Sequence, residues 1–403
     1  MDFKDTPEEA AFRKECRDWL EANHPQPLER GEDRIAWGKK WQKKKQEAGW
    51  SCLTWPKEYG GRGATTMQSI IFNEEQAKYG IVDVFGIGTG ICAPTLMAFM
   101  TDDDKKRFLP KLASGEEIWC QLFSEPGAGS DLAALSTRAI REGDEWVVNG
   151  QKIWTSGGYY SDWGILVTRT DPTVPKHKGM TYFYVNMRSP GMEVKRIKQI
   201  SGDSEFCEVY FTDVRIPDSQ RLGAVGEGWK VALHTLMNER ASLGGGGGGR
   251  ALNFQGAVRL AKDLEINGRP AIEDRAVRDQ LATWYTQETG LKYTSARTRT
   301  ALSQGKTPGP ENSIGKLVAA KKTQDMASFC IDMLDMAGGS MDPDVVPGKG
   351  LFQYGYLSAP GSRLAGGTDE IMLNILSERV LGLPQDVRVD KKVPFNEVPR
   401  GPK

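Results

Sequence analysis

The chain has 403 residues, enough for two or three domains, and its 53 Lys plus Arg balance its 53 Asp plus Glu. That balance removes the basic excess on which nucleic-acid binders depend, and the run "KKWQKKK" (39–45) reads as a solvated helix face. Six cysteines without CxxC or metal-finger spacing and only three histidines offer no metal site and suggest a reduced, cytoplasmic protein.

The N-terminus opens a helix: Thr6 can cap it, Pro7 fits its first turn, and Glu8 and Glu9 suit its positive end. This is neither a transit nor a secretory peptide. Amphipathic patterns predict helices over 7–22, 33–48, 66–79 and 102–113, separated by turns such as "WPKEYGGRG" (55–63). The apolar stretch "IVDVFGIGTGICAPTLMAFM" (81–100) is interrupted by Asp83, three glycines and Pro94, so it reads as a buried helix pair and not as a membrane span. From Ile118 to about Pro217, β-branched and aromatic runs predict strands, among them "IWCQLF" (118–123), "DWGILVTRT" (162–170) and "MTYFYVNM" (180–187). Helical periodicity returns after Gly228 and lasts to about 382; 383–403, rich in Pro and charge, reads as a tail.

The fold class is therefore α+β and multidomain, with a helical domain over 1–117, a β domain over 118–224, a second helical domain over 225–385 and a tail over 386–403. Segregated elements, and the lack of a GxGxxG after a strand, argue against a doubly wound nucleotide fold.

Two stretches are candidates to carry chemistry, the alternatives being a plain Gly-rich turn for the first and a core Trp on a strand for the second. "FSEPGAGSDLAAL" (123–135) follows a strand and sets Ser124 and Ser130 around Gly127, Ala128 and Gly129, where backbone N–H groups can approach a phosphate or a polar ring edge. "NGQKIWTSGGYYSDWG" (149–164) opens on Asn149-Gly150, a hairpin-turn signal, and places Trp154 beside Ser156.

With "AGGTDEIMLNILSERVLGLP" (365–384), the motifs "SEPGAGSDL" and "NGQKIWTSG" resemble, in order and spacing, the acyl-CoA dehydrogenase family over roughly residues 5–385. The resemblance implies a helical N-terminal domain, a middle β-barrel, a C-terminal helical bundle, FAD, and oxidation of an acyl-CoA to the trans-2-enoyl-CoA. It also implies electron-transfer flavoprotein as acceptor and a homotetramer or dimer, with a heterotetramer as the alternative. Phe123, Ser124, Gly129 and Ser130 would meet the cofactor, Trp154 would stack on the flavin, and Thr155 and Ser156 would lie by it. Gly367, Thr368 and Glu370 would meet the cofactor at the last helix, and Asp335 and Gly339 would meet that of a neighbouring subunit. Ser130, Met237, Arg240 and Gly366 would meet the acyl-CoA.

The chemistry needs a desolvated carboxylate at Cα and hydrogen-bond donors at the thioester carbonyl. Many members place the base just before the Gly-Thr of the last motif, where this chain has Gly366. In a branch resembling isovaleryl- and long-chain acyl-CoA dehydrogenases, the Glu instead precedes an Arg on the helix that opens the C-terminal bundle, and Glu239-Arg240 matches that pattern. At helical spacing Glu239 has Thr235, Leu236, Ser242 and Leu243, with no Lys or Arg for a surface ion pair. Asp369 and Glu370 are rival bases, but the first turn of a helix capped by Thr368 accounts for them.

Six glycines, 244–249, follow that helix. They either clear one wall of an acyl pocket for a bulky or branched group, permit close helix packing, or form a loop. Two departures concern the cofactor across a subunit interface. The family's Arg-x-x-Phe-Gly is missing from 265–282, where Arg278 is only a candidate substitute, and the Arg-Asp usual before the last motif is missing from 351–367. A non-catalytic subunit of a heterotetramer and an acyl-CoA oxidase are the competing functions.

Overall fold

The structure is a computed structural model that describes residues 5–28, 32–81, 83–243, 252–303 and 309–398. The first elements are α1 (Pro7–Asn23), α2 (Arg34–Glu47), α3 (Thr66–Ala77), α4 (Ala93–Phe99) and α5 (Asp102–Ser114). Strands β1 (Trp119–Leu122), β2 (Arg138–Glu142), β3 (Glu145–Ser156), β4 (Trp163–Arg169), β5 (Met180–Asn186), β6 (Met192–Arg196), β7 (Phe206–Pro217) and β8 (Arg221–Leu222) follow. Then come α6 (Gly228–Leu243), α7 (Phe254–Asp263), a hairpin of β9 (Glu265–Ile266) and β10 (Arg269–Pro270), α8 (Arg275–Ser303), α9 (Ser313–Met333), α10 (Leu351–Leu364) and α11 (Asp369–Arg379). Helix starts obey local chemistry: Thr6 and Glu9 bond reciprocally at α1, and Thr65 with Gln68 forms a capping box at α3.

The chain divides into two compact units, one of residues 13–242 with 386–403 and the other of residues 1–12 with 243–385. In the first unit the eight strands make one sheet in the order β6-β7-β3-β2-β4-β5-β8, with β1 parallel to β4. Alternation along β4 and β5 sends residues to two separate apolar clusters. Ile165, Val167, Tyr182 and Tyr184 join Trp119, Leu96 and Leu109 of the preceding segments, whereas Leu166, Phe183 and Val185 join Trp146, Val209 and Val214 of the sheet. A sheet buried on both faces explains why these strands read as continuous apolar runs. In the other unit α7, α8, α9 and α10 share a core that includes Trp284, Met326, Cys330 and Phe352.

Three local expectations change. The 81–100 stretch contains a π-helical segment (Ile87–Cys92) that runs directly into α4, with Pro94 in the first turn of α4. Asn149-Gly150 is no turn: both lie within β3, and Gly150, at φ 150°, sits at a register shift against β7 where a Cβ would stand 2.5 Å from Thr137 Oγ1. Residues 386–398 lie against the β unit, with Phe395 buried and an antiparallel bridge between Pro394 and Pro175. No helix among the described residues is long and apolar enough to cross a membrane. The glycine run 244–249 lies outside the described residues.

Candidate active site

The two small-residue motifs meet at the end of β1. Ile153 N–H donates to Ser124 O at 2.8 Å, so the loop after β1 is stitched to β3. Below that stitch Lys152, fully buried, donates to Phe123 O at 2.9 Å and to Glu125 Oε1 at 2.8 Å. Glu125 also accepts from the N–H groups of Ser136 (2.6 Å) and Thr137 (2.9 Å), so one carboxylate closes the loop from 125 to 137. Burial pushes the Glu125 carboxyl up, but Lys152 and these donors outweigh it and hold the carboxyl below its usual range. Ala128 is buried, whereas Gly127, Gly129 and Ser130 stay exposed, and a Cβ at either glycine would meet nothing within 4 Å. The backbone there is open to a ligand.

β3 loses its register with β7 between Lys152 and Thr155, and Trp154 adopts φ 60°. A bulky residue in the left-handed region costs about 1–3 kcal/mol and persists only where surrounding contacts impose it. Trp154 is 55% exposed, with the Phe206 ring perpendicular to its own at a centroid separation of 5.8 Å. Ser156 beside it is half-buried, while the Thr155 side chain points inward and its hydroxyl has no partner among the described residues. Of these three expected cofactor contacts, Trp154 and Ser156 offer side chains, and Thr155 can offer only its backbone. An exposed flat aromatic beside open glycine backbone fits a planar, polar-edged group such as FAD.

Glu239 lies on α6, and Gln121 Nε2, on β1 two residues before Phe123, donates to its Oε2 at 3.3 Å. One turn earlier, buried Thr235 Oγ1 is 2.9 Å from both Thr95 Oγ1 and Tyr182 OH and donates to Val231 O at 3.1 Å. Burial drives the Tyr182 phenol well above its usual pKa, so it stays neutral and can act only as a hydrogen-bonding group. The carboxylate thus stands over a satisfied hydroxyl network. Met237, on the same helix, is 64% exposed. Arg240 is in α6, but its side chain lies outside the described residues.

The last motif is built separately, in the other unit. Thr368 caps α11 by accepting from Ile371 N–H at 3.3 Å, and Gly366 and Gly367 precede it at φ 65° and 100°. A Cβ on Gly367 would stand 2.5 Å from Met372 Cε. Lys316 donates to the Gly367 carbonyl. Asp369 is buried and held by Arg363, with Nε at 2.6 Å and Nη2 at 2.5 Å from Oδ2, while Glu370 is exposed. Asp369 is thus committed to an arginine, whereas Glu370 faces solvent. Asp335 and Gly339 bracket a 3₁₀ turn after α9; Asp335 has φ 48°, and nothing lies within 4 Å of a Cβ at Gly339.

Gln121, Lys152, Glu125 and Tyr182 were not anticipated as site residues. The signals available were a lone polar residue in the apolar strand "IWCQLF" and a lysine at an inward-facing position of β3. Neither says what it bonds.

Three family models match along the chain: "Acyl-CoA dehydrogenase, N-terminal domain" over residues 6–116, "middle domain" over 120–214 and "C-terminal domain" over 226–381. Acyl-CoA dehydrogenase IpdE1 of Mycobacterium tuberculosis is 37% identical over 354 residues, which are 86% of this chain and 88% of that protein. Acyl-CoA dehydrogenase FadE34 of the same organism is 36% identical over 333 residues, 82% of this chain, but the match spans only 44% of FadE34. Among solved structures, one described as "Tcur3481-Tcur3483 steroid ACAD" is similar over 96% of this chain and 100% of its own, with 29% identity and a TM-score of 0.80.

Proposed function

The chain belongs to the acyl-CoA dehydrogenase family, as an FAD-dependent oxidoreductase, and we propose that it dehydrogenates an acyl-CoA with Glu239 as the base. The observation that carries this reading is the Gln121–Glu239 hydrogen bond, which sets a carboxylate against the strand leading into the Phe123–Ser130 loop. FAD, when bound, supplies the acceptor for the β-hydride. Glu239 takes the α-proton at a carboxylate oxygen, and Gln121 fixes the plane of that carboxylate by donating to Oε2. Thr95, Thr235 and Tyr182 satisfy one another beneath it, which lets the site exclude water without leaving buried hydroxyls unpaired. Trp154 and Ser156 would hold the cofactor, and Phe123, Ser124, Gly129 and Ser130 would flank it.

We further assign a bulky or branched acyl group, with electrons passing to electron-transfer flavoprotein. The related steroid enzyme supports a bulky substrate, and its two-part designation favours an assembly of two different chains as the second reading. Purifying the chain alone, reading its flavin absorbance and titrating it anaerobically with straight, branched and steroid-derived acyl-CoAs tests both readings. A yellow protein bleached by the bulky substrates supports an active enzyme, whereas a colourless chain would sink it and favour a partner subunit.

A further inference from the structure

The loop that carries Gly127–Ser130 is gripped on its far side by two cations. Lys176, between β4 and β5, reaches Asp131 Oδ2 at 2.7 Å, next to Ser130. Arg169, at the end of β4 and buried, donates to Ala133 O at 2.5 Å and to Leu135 O at 3.4 Å. Each cation is also gripped by the segment 386–398. Asp390 Oδ2 stands 2.5 Å from Lys176 Nζ, and the Phe395 ring lies under the Arg169 guanidinium at 3.9 Å. Backbone bonds seat the segment, with Phe395 N–H to Val174 O at 2.9 Å and Asn396 N–H to Pro172 O at 3.0 Å. Arg169 also donates to Lys176 O at 2.6 Å, which ties the two cations together.

The charges are tuned to stay on. Burial pushes the Lys176 ammonium down, but Asp131 and Asp390 outweigh it and raise its pKa above the usual value, and the hydrogen bond from Lys176 keeps the Asp390 carboxyl below its own. Only 8% of the Lys176 side chain is exposed, so these bonds act with little water to compete. A segment needed merely to cover the sheet would require neither an aspartate aimed at this lysine nor a ring laid on this arginine.

We propose that residues 386–398 form a latch on the small-residue loop, with Lys176 and Arg169 as the positioning residues through which it acts. The latch holds the loop's backbone where FAD and acyl-CoA approach, and this ligand role rests on the function proposed above. Undoing the latch leaves Asp131, 54% exposed, to hold Lys176 alone and lets the loop sample open forms.

The test uses the full-length chain loaded with FAD and compares wild type with Asp390→Asn, Asp390→Glu and Phe395→Leu. Hydrogen exchange of the amides of Ala128, Ala134 and Leu135 is followed by mass spectrometry, and FAD release by flavin fluorescence. One partly buried charge-assisted bond is worth about a factor of ten, so Asp390→Asn should speed both exchange over 125–137 and FAD release about tenfold. Phe395→Leu should act in the same direction through Arg169, and Asp390→Glu should return both rates towards wild type. Faster exchange confined to 386–398, with 125–137 unchanged, overturns the latch. Faster exchange over 125–137 with unchanged FAD release establishes the latch and instead contradicts the assignment of this loop to the flavin.

Discussion

Replacing Lys152 by Met tests whether the ligand loop hangs from a buried charge. Met keeps the apolar stem and removes the ammonium that donates to Phe123 O and Glu125 Oε1. The lysine is fully buried and Glu125 only 7% exposed. Breaking such a pair from one side costs about 3–5 kcal/mol. Because Glu125 keeps the N–H donors of Ser136 and Thr137, the loss should fall at the low end, about 3 kcal/mol. The pH dependence is the signature. Without Lys152, burial dominates and lifts the folded-state pKa of Glu125 above its unfolded value. A raised carboxyl contributes stability that is present below the unfolded pKa and lost as pH rises through the folded one. The variant's deficit should therefore be largest near neutrality, shrink as pH falls through the raised pKa towards 4.5, and shrink further below 4.5, where the wild type's lowered carboxyl loses its own contribution. Adding Glu125→Gln removes the stranded charge and should recover most of the loss. Urea unfolding at pH 7 and pH 4, followed by tryptophan fluorescence, measures all three proteins. A loss below about 1 kcal/mol, equal at both pH values, would refute the buried-charge account.

Thr235→Val, nearly isosteric, takes the Thr235 partner from the Tyr182 hydroxyl and leaves Thr95 the Ile91 carbonyl at 3.4 Å, so it should cost about 1–3 kcal/mol in urea, whereas Thr235→Ser should cost less; equal losses would mean that the hydroxyl is idle. Gly150→Ala forces a Cβ to within 2.7 Å of Thr137 Cα and should destabilise by about 1–3 kcal/mol; an unchanged urea midpoint would contradict the close approach. Glu75 is opposed by burial, but hydrogen bonds from Lys78, Arg13 and Arg17 lower its pKa from 4.5 to about 2. Its contribution is complete above 4.5 and lost as pH falls towards 2, so the Tm gap between wild type and Glu75→Gln should narrow from pH 5 to pH 3, and a constant gap would contradict the pairing.

Periodicity located the helices and strands because each buries one face or two against a core, and burial writes its period into the sequence. It misread Asn149-Gly150, because a bulge within β3 asks for the same residues as a turn. It missed the seating of 386–398, because that segment is held by Lys176, Arg169 and backbone groups far away in the chain and carries no period of its own. The site divides in the same way. Small residues at 127–130 and the Glu239-Arg240 pair were visible in the sequence as candidates. Gln121 and Lys152 were not, since a polar residue in a strand declares its role only when the fold brings its partner within reach. Trp154 was legible as an aromatic beside a hydroxyl, but its turn outward depends on a bulge that the sequence does not announce.

The central claim, that Glu239 removes the α-proton, is tested most directly by anaerobic stopped-flow reduction of the bound flavin in Glu239→Gln. Gln keeps the volume and an oxygen able to accept from Gln121, and it lacks only the basic carboxylate. With an acyl-CoA that bleaches the wild type, the rate of flavin reduction should fall by roughly 10²–10⁴-fold while flavin content and the oxidised spectrum remain those of the wild type. Reduction at close to the wild-type rate would contradict the assignment and place the base elsewhere.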